Sequence, residues 1–561
     1  MSHSLPPSLV QVLHGRGFAT PESIEAFLAP SLDALSSPDA FPDMEAAVGC
    51  LRTAIKDEQP IAIYADRDVD GLSGLAILLR TLRTLGAQVI WGSPLKGRGV
   101  ERAILESLIQ QKARIVIFVD CGTSEEKELR WLADQGMDVI VADHHRLSEN
   151  RPPALAWIHP EAGAASAETQ APAGCVMAFK LAQALWLSFL GSNDPERMDY
   201  FLFDHLDLLC LGILADRVPL TGENRTFVWH GLRRLARTRK TGLAALLRFF
   251  RLTPRPDPIS VREATWQIVP LLNAAGRLRQ PQWAANLLTT EEPWTARLAI
   301  DALIGLNAER RSAQDKSLSH FEKIVAEQCS VDTDSVLVAM AQGLEPSVTG
   351  LAAQSLVKRY GRPAFLFVDQ GEEAVGSARG TPDIDLFAWA EEHSDLLVKF
   401  GGHHGAVGLT IRTTDFDVLR GRLLKRVNPL RPPFAKGGSQ GGFVNLPPEG
   451  ELSLKEADSS WWEALQRLEP FGPGFPMPAF RLTGIEEIRY ASKRNTQNVI
   501  LKAGSVAMIG ELPHPPSGHP LPSGEGWGEA GPWTVVAYPE RVKKQDLPFK
   551  WMITGVQKNY A

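Results

Sequence analysis

Five aspartates and two histidines fall in three places along this chain: Asp66-Arg67-Asp68-Val69-Asp70, Asp120, and Asp143-His144-His145. Each place follows an apolar run of strand composition, namely Pro60–Tyr64, Arg114–Val119 and Met137–Ala142. In a parallel α/β sheet all strands end at one edge, and ligands bind in the crevice along it. Three strand ends therefore bring Asp66, Asp120 and Asp143 together, and the loops add Asp68, Asp70, His144 and His145. A further candidate, Asp216, closes the apolar run Leu206–Asp216. So many carboxylates repel one another unless cations neutralise them. A mixed Asp/His donor set suits Mn²⁺ or Mg²⁺ better than a thiolate metal. Two such ions roughly 3.5–4 Å apart form the clamp that hydrolyses phosphate esters. A single Asp at a strand end is more often a helix cap or turn residue, and Asp70, just before Gly71, is read that way. The joint occurrence in order is what points to a divalent-metal phosphoesterase site.

The elements that must position these residues follow from the pattern. Residues 1–57 read as short helices, with PESIEAFLAP and MEAAVGCLRTAI as examples. A helix from about Ser73 to Gly86 follows the first strand, and Ala87–Trp91 is another strand. The alternation of strands and helices indicates a parallel α/β sheet. Residues 173–250 look helical. A long charged helix is expected from about Glu292 to Gln328, free of Pro and Gly after Gly305. Strand–helix alternation returns in SVLVAMA, GLAAQSLVKRY, PAFLFVD and GLTIR. The tail carries the strand signals AFRLTGIEEIRY, NVILKAG, VAMIGEL, WTVVAYP and KWMITGVQ, spaced as in a small β-barrel. The segment 514–532, dense in Pro, Gly and Ser, reads as a disordered insertion between two strands.

Length and composition set limits. At roughly 100–200 residues per domain, 561 residues make three to four units. No apolar run approaches a membrane span, and the first residues lack a signal-peptide layout, so a cytoplasmic protein is expected. The five cysteines form no CxxC pair and read as reduced and buried. The net charge of −6 gives no overall support to nucleic-acid binding. Two local stretches do: Arg225 to Arg255, with almost no acids, and Arg420 to Arg431. Solvated helix faces explain either stretch equally well.

The motifs Asp66-Arg-Asp-Val-Asp-Gly71, Val119-Asp-Cys-Gly122, Asp143-His-His145 and Ala215-Asp216 resemble, in order, the four motifs of the DHH phosphoesterases. Within them the chain is similar to the RecJ-type single-stranded-DNA-specific 5′→3′ exonucleases. The likeness extends to Val218–Arg225, Asn273-Ala-Ala-Gly-Arg277, Leu306–Arg310, Gly376-Ser-Ala-Arg379, Gly401-Gly-His-His404 and Leu468–Gly474. It implies an α/β multidomain chain. Its parts are an N-terminal helical segment (1–57), a parallel-sheet DHH domain (58–225), and a helical middle segment with the connector helix (226–328). An α/β DHHA1 domain (329–430), a linker (431–450) and a C-terminal OB-type β-barrel (451–561) follow. The resemblance implies that Asp66, Asp68, Asp120, His144 and Asp216 bind two Mn²⁺ or Mg²⁺ ions. Asp70 would be a ligand or support, and His145 would stabilise charge at the scissile phosphate. Arg277, Asn273, Lys96 and His403 would contact the strand, and Ser377 and Arg379 its 5′-phosphate. The strand would lie between the DHH and DHHA1 domains and run on to the OB domain.

Several substrate positions depart from the family pattern. Pro270-Leu-Leu-Asn273 stands where many relatives have Pro-Arg-Ile-Asn, and Leu278-Arg-Gln-Pro281 lacks an acidic pair. Leu344-Glu-Pro-Ser-Val348 replaces a Trp-His-Pro-Gly-Val stretch, and Pro94-Leu-Lys96 before Gly97-Arg-Gly99 aligns loosely. Hydrolysis is expected to survive with altered grip on the strand. The resemblance implies release of 5′-mononucleotides in DNA repair and recombination, as a monomer, beside a single-strand-binding protein and a RecQ-type helicase. Competing expectations are a hydrolase of short oligonucleotides or cyclic dinucleotides, whose members usually lack an OB domain, and a non-catalytic scaffold, which typically loses metal ligands. An inorganic pyrophosphatase is disfavoured by the length and the additional domains.

Overall fold

The computed structural model describes residues 5–95, 99–147, 151–162, 171–190, 195–330, 333–381, 384–425, 448–485, 487–493, 496–503, 506–512, 533–541 and 549–558. The chain forms two compact units. One is Leu13–Arg310 with Glu463–Met477, the other Met1–Val12, Arg311–Trp462 and Pro478–Ala561.

In the first unit, β1 (Ile61–Ala65), β2 (Val89–Gly92), β3 (Ile115–Val119), β4 (Asp138–Ala142) and β5 (Ala156–Ile158) form a parallel sheet in the order β2-β1-β3-β4-β5. Ile61, Ile63, Ile115 and Ile117 face a large helical core, while Ala62, Tyr64, Val116 and Phe118 face a smaller one. Burial on both faces is why these strands read as continuous apolar runs. Strand order reverses between β1 and β3, and a crevice opens at such a point beyond the strand ends. The short β5 is not among the strands legible in the sequence.

The helix after β1 is Val69–Thr84, not Ser73–Gly86. Its start is set by Asp68, whose Oδ1 accepts the N–H groups of Asp70 (2.9 Å) and Gly71 (3.2 Å). Nearly all of its residues are buried, so no polar stripe marks its ends. Helices Gly174–Leu190, Pro195–Asp216, Gly222–Leu235 and Thr241–Phe249 follow. The run Leu206–Asp216 is thus the end of a helix. Val261–Arg277 is helical with a π-turn at Ala264–Ile268. Pro293–Gln328 is one 36-residue helix, as the sequence suggests.

In the second unit, β6 (Leu337–Ala341), β7 (Ala364–Asp369), β8 (Glu373–Arg379), β9 (Leu397–His403) and β10 (Ala406–Arg412) form a sheet ordered β6-β7-β8-β10-β9. Only β6 and β7 are parallel. A seven-stranded sheet follows, ordered β11-β12-β16-β17-β15-β14-β13, from β11 (Gly450–Ser453), β12 (Phe480–Ile485), β13 (Glu487–Lys493), β14 (Thr496–Ala503), β15 (Val506–Leu512), β16 (Trp533–Arg541) and β17 (Phe549–Lys558). The expected insertion at 514–532 and most of the linker lie outside the described residues.

Two buried charge networks hold the first unit's helices. Arg225 donates to the carbonyls of Phe27, Leu468, Glu469 and Pro470, and its guanidinium lies 3.6 Å from the centre of the Phe27 ring. Burial lowers its pKa to about 9, which still leaves it charged at neutral pH. This arginine helps fasten Glu463–Met477 to the helices, beside the Leu220 N–H bond to Pro473 O (2.7 Å). Arg225→Ala strands several carbonyls, each costing about 1–3 kcal/mol; a clear drop in melting temperature is expected, partly restored by Arg225→Lys.

In the other network, Arg80 pairs with Asp204 (3.0 Å) and Lys240 with Asp207 (2.9 Å). His205 Nε2 lies 3.1 Å from the Thr81 hydroxyl. Burial holds the His205 pKa at about 3, so the folded state refuses a proton that the unfolded chain accepts near pH 6.5. The contribution to stability is intact above pH 6.5 and shrinks as pH falls toward 3, by up to about 1.4 kcal/mol per unit. His205→Gln should flatten the fall in melting temperature between pH 7 and 5.

Candidate metal centre

The sheet ladder continues one residue past each strand. Asp66 N–H donates to Val119 O, Asp120 N–H to Ala142 O and Asp143 N–H to Ile158 O, at 3.0–3.3 Å. The three aspartates are thereby held at successive points along one edge. Asp120 has φ of 58°, in the left-handed region, which a non-glycine residue adopts at a cost of order 1–3 kcal/mol. Gly174 makes room for it: a Cβ there would lie 2.6 Å from Asp120 Oδ1.

Asp70 is not a turn residue. Asp68 takes the capping position, and Asp70 sits buried in the first helical turn. Its Oδ2 and Oδ1 accept the N–H groups of Gly174 (2.7 Å) and Cys175 (3.0 Å), at the start of the Gly174–Leu190 helix. A carboxylate there meets unpaired N–H groups and the positive end of the helix dipole. Asp216 reaches the site as the last residue of its helix.

His144 joins the groups. Its Nε2 lies 3.2 Å from Asp120 Oδ1, 3.7 Å from Asp216 Oδ2 and 4.0 Å from Asp70 Oδ2. Burial lowers its pKa, leaving the neutral imidazole that a cation needs. One oxygen from each of Asp66, Asp68 and Asp120 also lies within 4.8 Å of the others. Burial, followed by the charges of Asp216 and Asp68, raises Asp70 to about 8. Burial, with Asp70 and Asp68, pushes Asp120 well up. Asp120 Oδ1 is buried without a hydrogen-bond partner; His144 is close to it but outside hydrogen-bond geometry. A buried, crowded and unsatisfied carboxylate oxygen fits a divalent cation.

Asp143 differs. Its Oδ1 accepts His144 N–H (2.7 Å) and stands 2.8 Å from His145 Nδ1, while Oδ2 accepts the Thr123 N–H and hydroxyl. Burial alone would raise its pKa, but His145 and the N–H donors bring it to about 2. The Asp143 bond in turn raises the half-exposed His145 to about 9. Asp143 therefore orients and charges His145. Its role, and that of Gly174, escaped the sequence reading, since neither alters the motif spacing.

Profiles of the DHH family N-terminal domain, the DHHA1 domain and the RecJ OB domain match residues 60–213, 333–428 and 449–509. The single-stranded-DNA-specific exonuclease RecJ of Bacillus subtilis is 34% identical over 426 residues, 75% of this chain and 52% of that relative. RecJ of Thermus thermophilus in complex with Mn²⁺ superposes with a TM-score of 0.75 at 26% identity, over 99% of this chain and 76% of that one. A manganese-bound exonuclease RecJ superposes with a TM-score of 0.56 at 30% identity, over 70% of this chain and 95% of that one. The chain belongs to the RecJ family. It spans about half the length of the Bacillus subtilis relative.

The remaining residues that the RecJ resemblance singles out fall in several places. Asn273 Oδ1 accepts the Val69 N–H (3.0 Å), so it pins the start of the Val69–Thr84 helix. Gly276 packs against Arg67 O, where a Cβ would come within 2.3 Å, and Arg277 beside it is exposed. Leu271, at the departed arginine position, is buried in the helical core. In the second unit, Ser377 and Arg379 share one face of β8. Both border the start of the Thr349–Tyr360 helix: the Thr349 hydroxyl lies 3.0 Å from Ser377 Oγ, and a Cβ on Gly350 would meet Arg379 Nη2 at 2.7 Å. His403 ends β9. Lys96 lies outside the described residues.

Gly174→Ala should displace Asp120 and weaken Mn²⁺ binding at least about tenfold in calorimetric titration, with the helical circular-dichroism signal unchanged.

Proposed function

We propose that this chain is a divalent-metal-dependent exonuclease that hydrolyses single-stranded DNA from its 5′ end and releases 5′-mononucleotides. The observation that carries the reading is Asp120: strained, buried and unsatisfied among Asp66, Asp68, Asp70, His144 and Asp216. Membership of the RecJ family supports the substrate, and the match to the RecJ OB domain favours long strands over cyclic dinucleotides.

Asp66, Asp68, Asp120, His144 and Asp216 are assigned to holding two Mn²⁺ or Mg²⁺ ions, with Asp70 bracing them from the adjoining helix start. Such ions supply Lewis acidity for attack of water on a phosphodiester. The His145 imidazolium, aimed by Asp143, donates to a phosphate oxygen and offsets the charge that grows on it. Arg277 holds the backbone. Ser377, Arg379 and the first N–H groups of the Thr349–Tyr360 helix receive the terminal phosphate, as a guanidinium and a helix N-terminus do together. We further propose that Asn273, Lys96 and His403 border the strand. The cellular setting that fits is cytoplasmic DNA repair and recombination by a monomer, beside a single-strand-binding protein and a RecQ-type helicase.

Labelled long single strands, with Mn²⁺ present, should yield mononucleotides progressively from the 5′ end. Asp120→Ala should reduce the rate at least about 10²-fold. Arg379→Ala should raise KM on 5′-phosphorylated strands by roughly 10–100-fold and erase their advantage over 5′-hydroxyl strands. Preferential cutting of di- and trinucleotides over long strands would defeat the proposal.

A further inference from the structure

From Asn224 to Pro256 the chain contains no Asp or Glu, although acids outnumber bases overall. The structure sorts the cations of this segment. Arg225 and Lys240 are buried in the two networks above, and Arg255 pairs with Glu263 (2.9 Å). Arg237, Arg239, Arg248 and Arg251 are exposed, and none lies within ion-pair distance of a described acid. Aromatic faces stand among them: Arg233 is stacked 3.4 Å from the Trp229 ring centre, and Phe249, between Arg248 and Arg251, is 47% exposed.

These residues occupy one small body. The loop after the Thr241–Phe249 helix returns to the Gly222–Leu235 helix, where Ile259 N–H donates to Leu232 O. The body's distance from the metal site can be read along the Pro195–Asp216 helix. Arg234 Nε donates to Phe203 O and the Thr238 hydroxyl to Asp207 Oδ2; Phe203 and Asp207 precede Asp216 by thirteen and nine residues, about 20 and 14 Å at 1.5 Å per residue. These arginines are therefore set back from the phosphate being cut.

We infer that this arginine face is a second nucleic-acid contact, gripping phosphates of the strand several nucleotides from the scissile bond. The inference rests on the nuclease reading. Unpaired guanidiniums repel one another, and phosphates spaced along a strand relieve them with bidentate bonds. Interleaved aromatic faces add stacking that tolerates any base. At about 3.4 Å per stacked nucleotide, 14–20 Å is on the order of four to six nucleotides.

The test uses the full chain with Arg237→Ser, Arg239→Ser and Arg248→Ser combined. In EDTA, binding of a strand of about 30 nucleotides is followed against salt. Each lost phosphate contact removes about 0.7 from the log–log slope, so the slope should fall by about 2, with at least tenfold weaker binding at low salt. With Mn²⁺, hydrolysis of a dinucleotide, which cannot reach the patch, should be unchanged. The triple Arg→Lys variant should keep most of the slope. Unchanged slope and affinity would overturn the inference and leave the face to an acidic protein or to solvent. Equal loss on the dinucleotide would overturn it too, by showing damage to the centre. If the unaltered chain cuts no strand, the nuclease reading fails while the slope still reports on the arginine face.

Discussion

The structure turns on repulsion among carboxylates that the sheet forces together. Asp66, Asp120 and Asp143 cannot retreat, because each is fixed by a backbone bond to the neighbouring strand. Two of the buried acids show how the protein handles this. Asp143 has donors on both oxygens and is held near 2. Asp120 is equally enclosed but has an oxygen with no donor, and burial with neighbouring charge pushes it well up. The same residue type thus serves opposite ends. The first carboxylate is spent on fixing an imidazole, and the second is left needing a positive charge. A proton can relieve Asp120 at low pH, and a divalent ion does so more completely, because it neutralises several carboxylates at once.

The helices around the edge are built to tolerate that frustration. Asp70 is stabilised by the start of one helix while crowding the centre of the site. Gly71, Gly174 and Gly212 lie where a side chain would run into Asp66, Asp120 and Cys175 respectively. Such packing leaves little room for the carboxylates to drift apart. Arg225 and the Lys180–Glu223 pair, whose Lys180 Nζ also reaches the Ser36 carbonyl, bind the outer segments to the same helices. Fixed geometry at the centre is thereby supplied by buried contacts remote from it.

Most of this centre was legible in the sequence because one physical rule governs it. A buried parallel strand reads as an apolar run, so the acid that ends it is conspicuous; β1, β3 and β4 all follow that rule. The long helix Pro293–Gln328 was equally plain, lacking internal breaks. What escaped depends on contacts between distant residues. β5 is three residues long, and β8 and β9, EAVGSAR and LVKFGGH, carry glycines that thin the strand pattern. Asp70 was misplaced by local reasoning: both Asp68 and Asp70 suit a helix start, and only the hydrogen bonds to Gly174 and Cys175 separate the cap from the residue that braces another helix. Asn273 was expected to contact the strand, and a second role for it, its side-chain oxygen holding the Val69 N–H, was not legible.

The departures from the family pattern acquire a physical meaning here. Leu271 is 3% exposed within an apolar core, where a charged side chain would have to be paired or carried out to water. Leucine at that position instead contributes packing to the helical core. Grip lost near the scissile bond must come from elsewhere on the chain if a strand is to stay bound between cuts. The exposed arginines of the Asn224–Pro256 segment supply cations without acids to compete for them. On the proposed reading their charge would act on the phosphate backbone, which is the same in every sequence, and holding and cutting would fall to different surfaces. Holding would then vary with ionic strength, through exposed groups that salt screens. Cutting would stay tied to a buried cluster that salt screens far less.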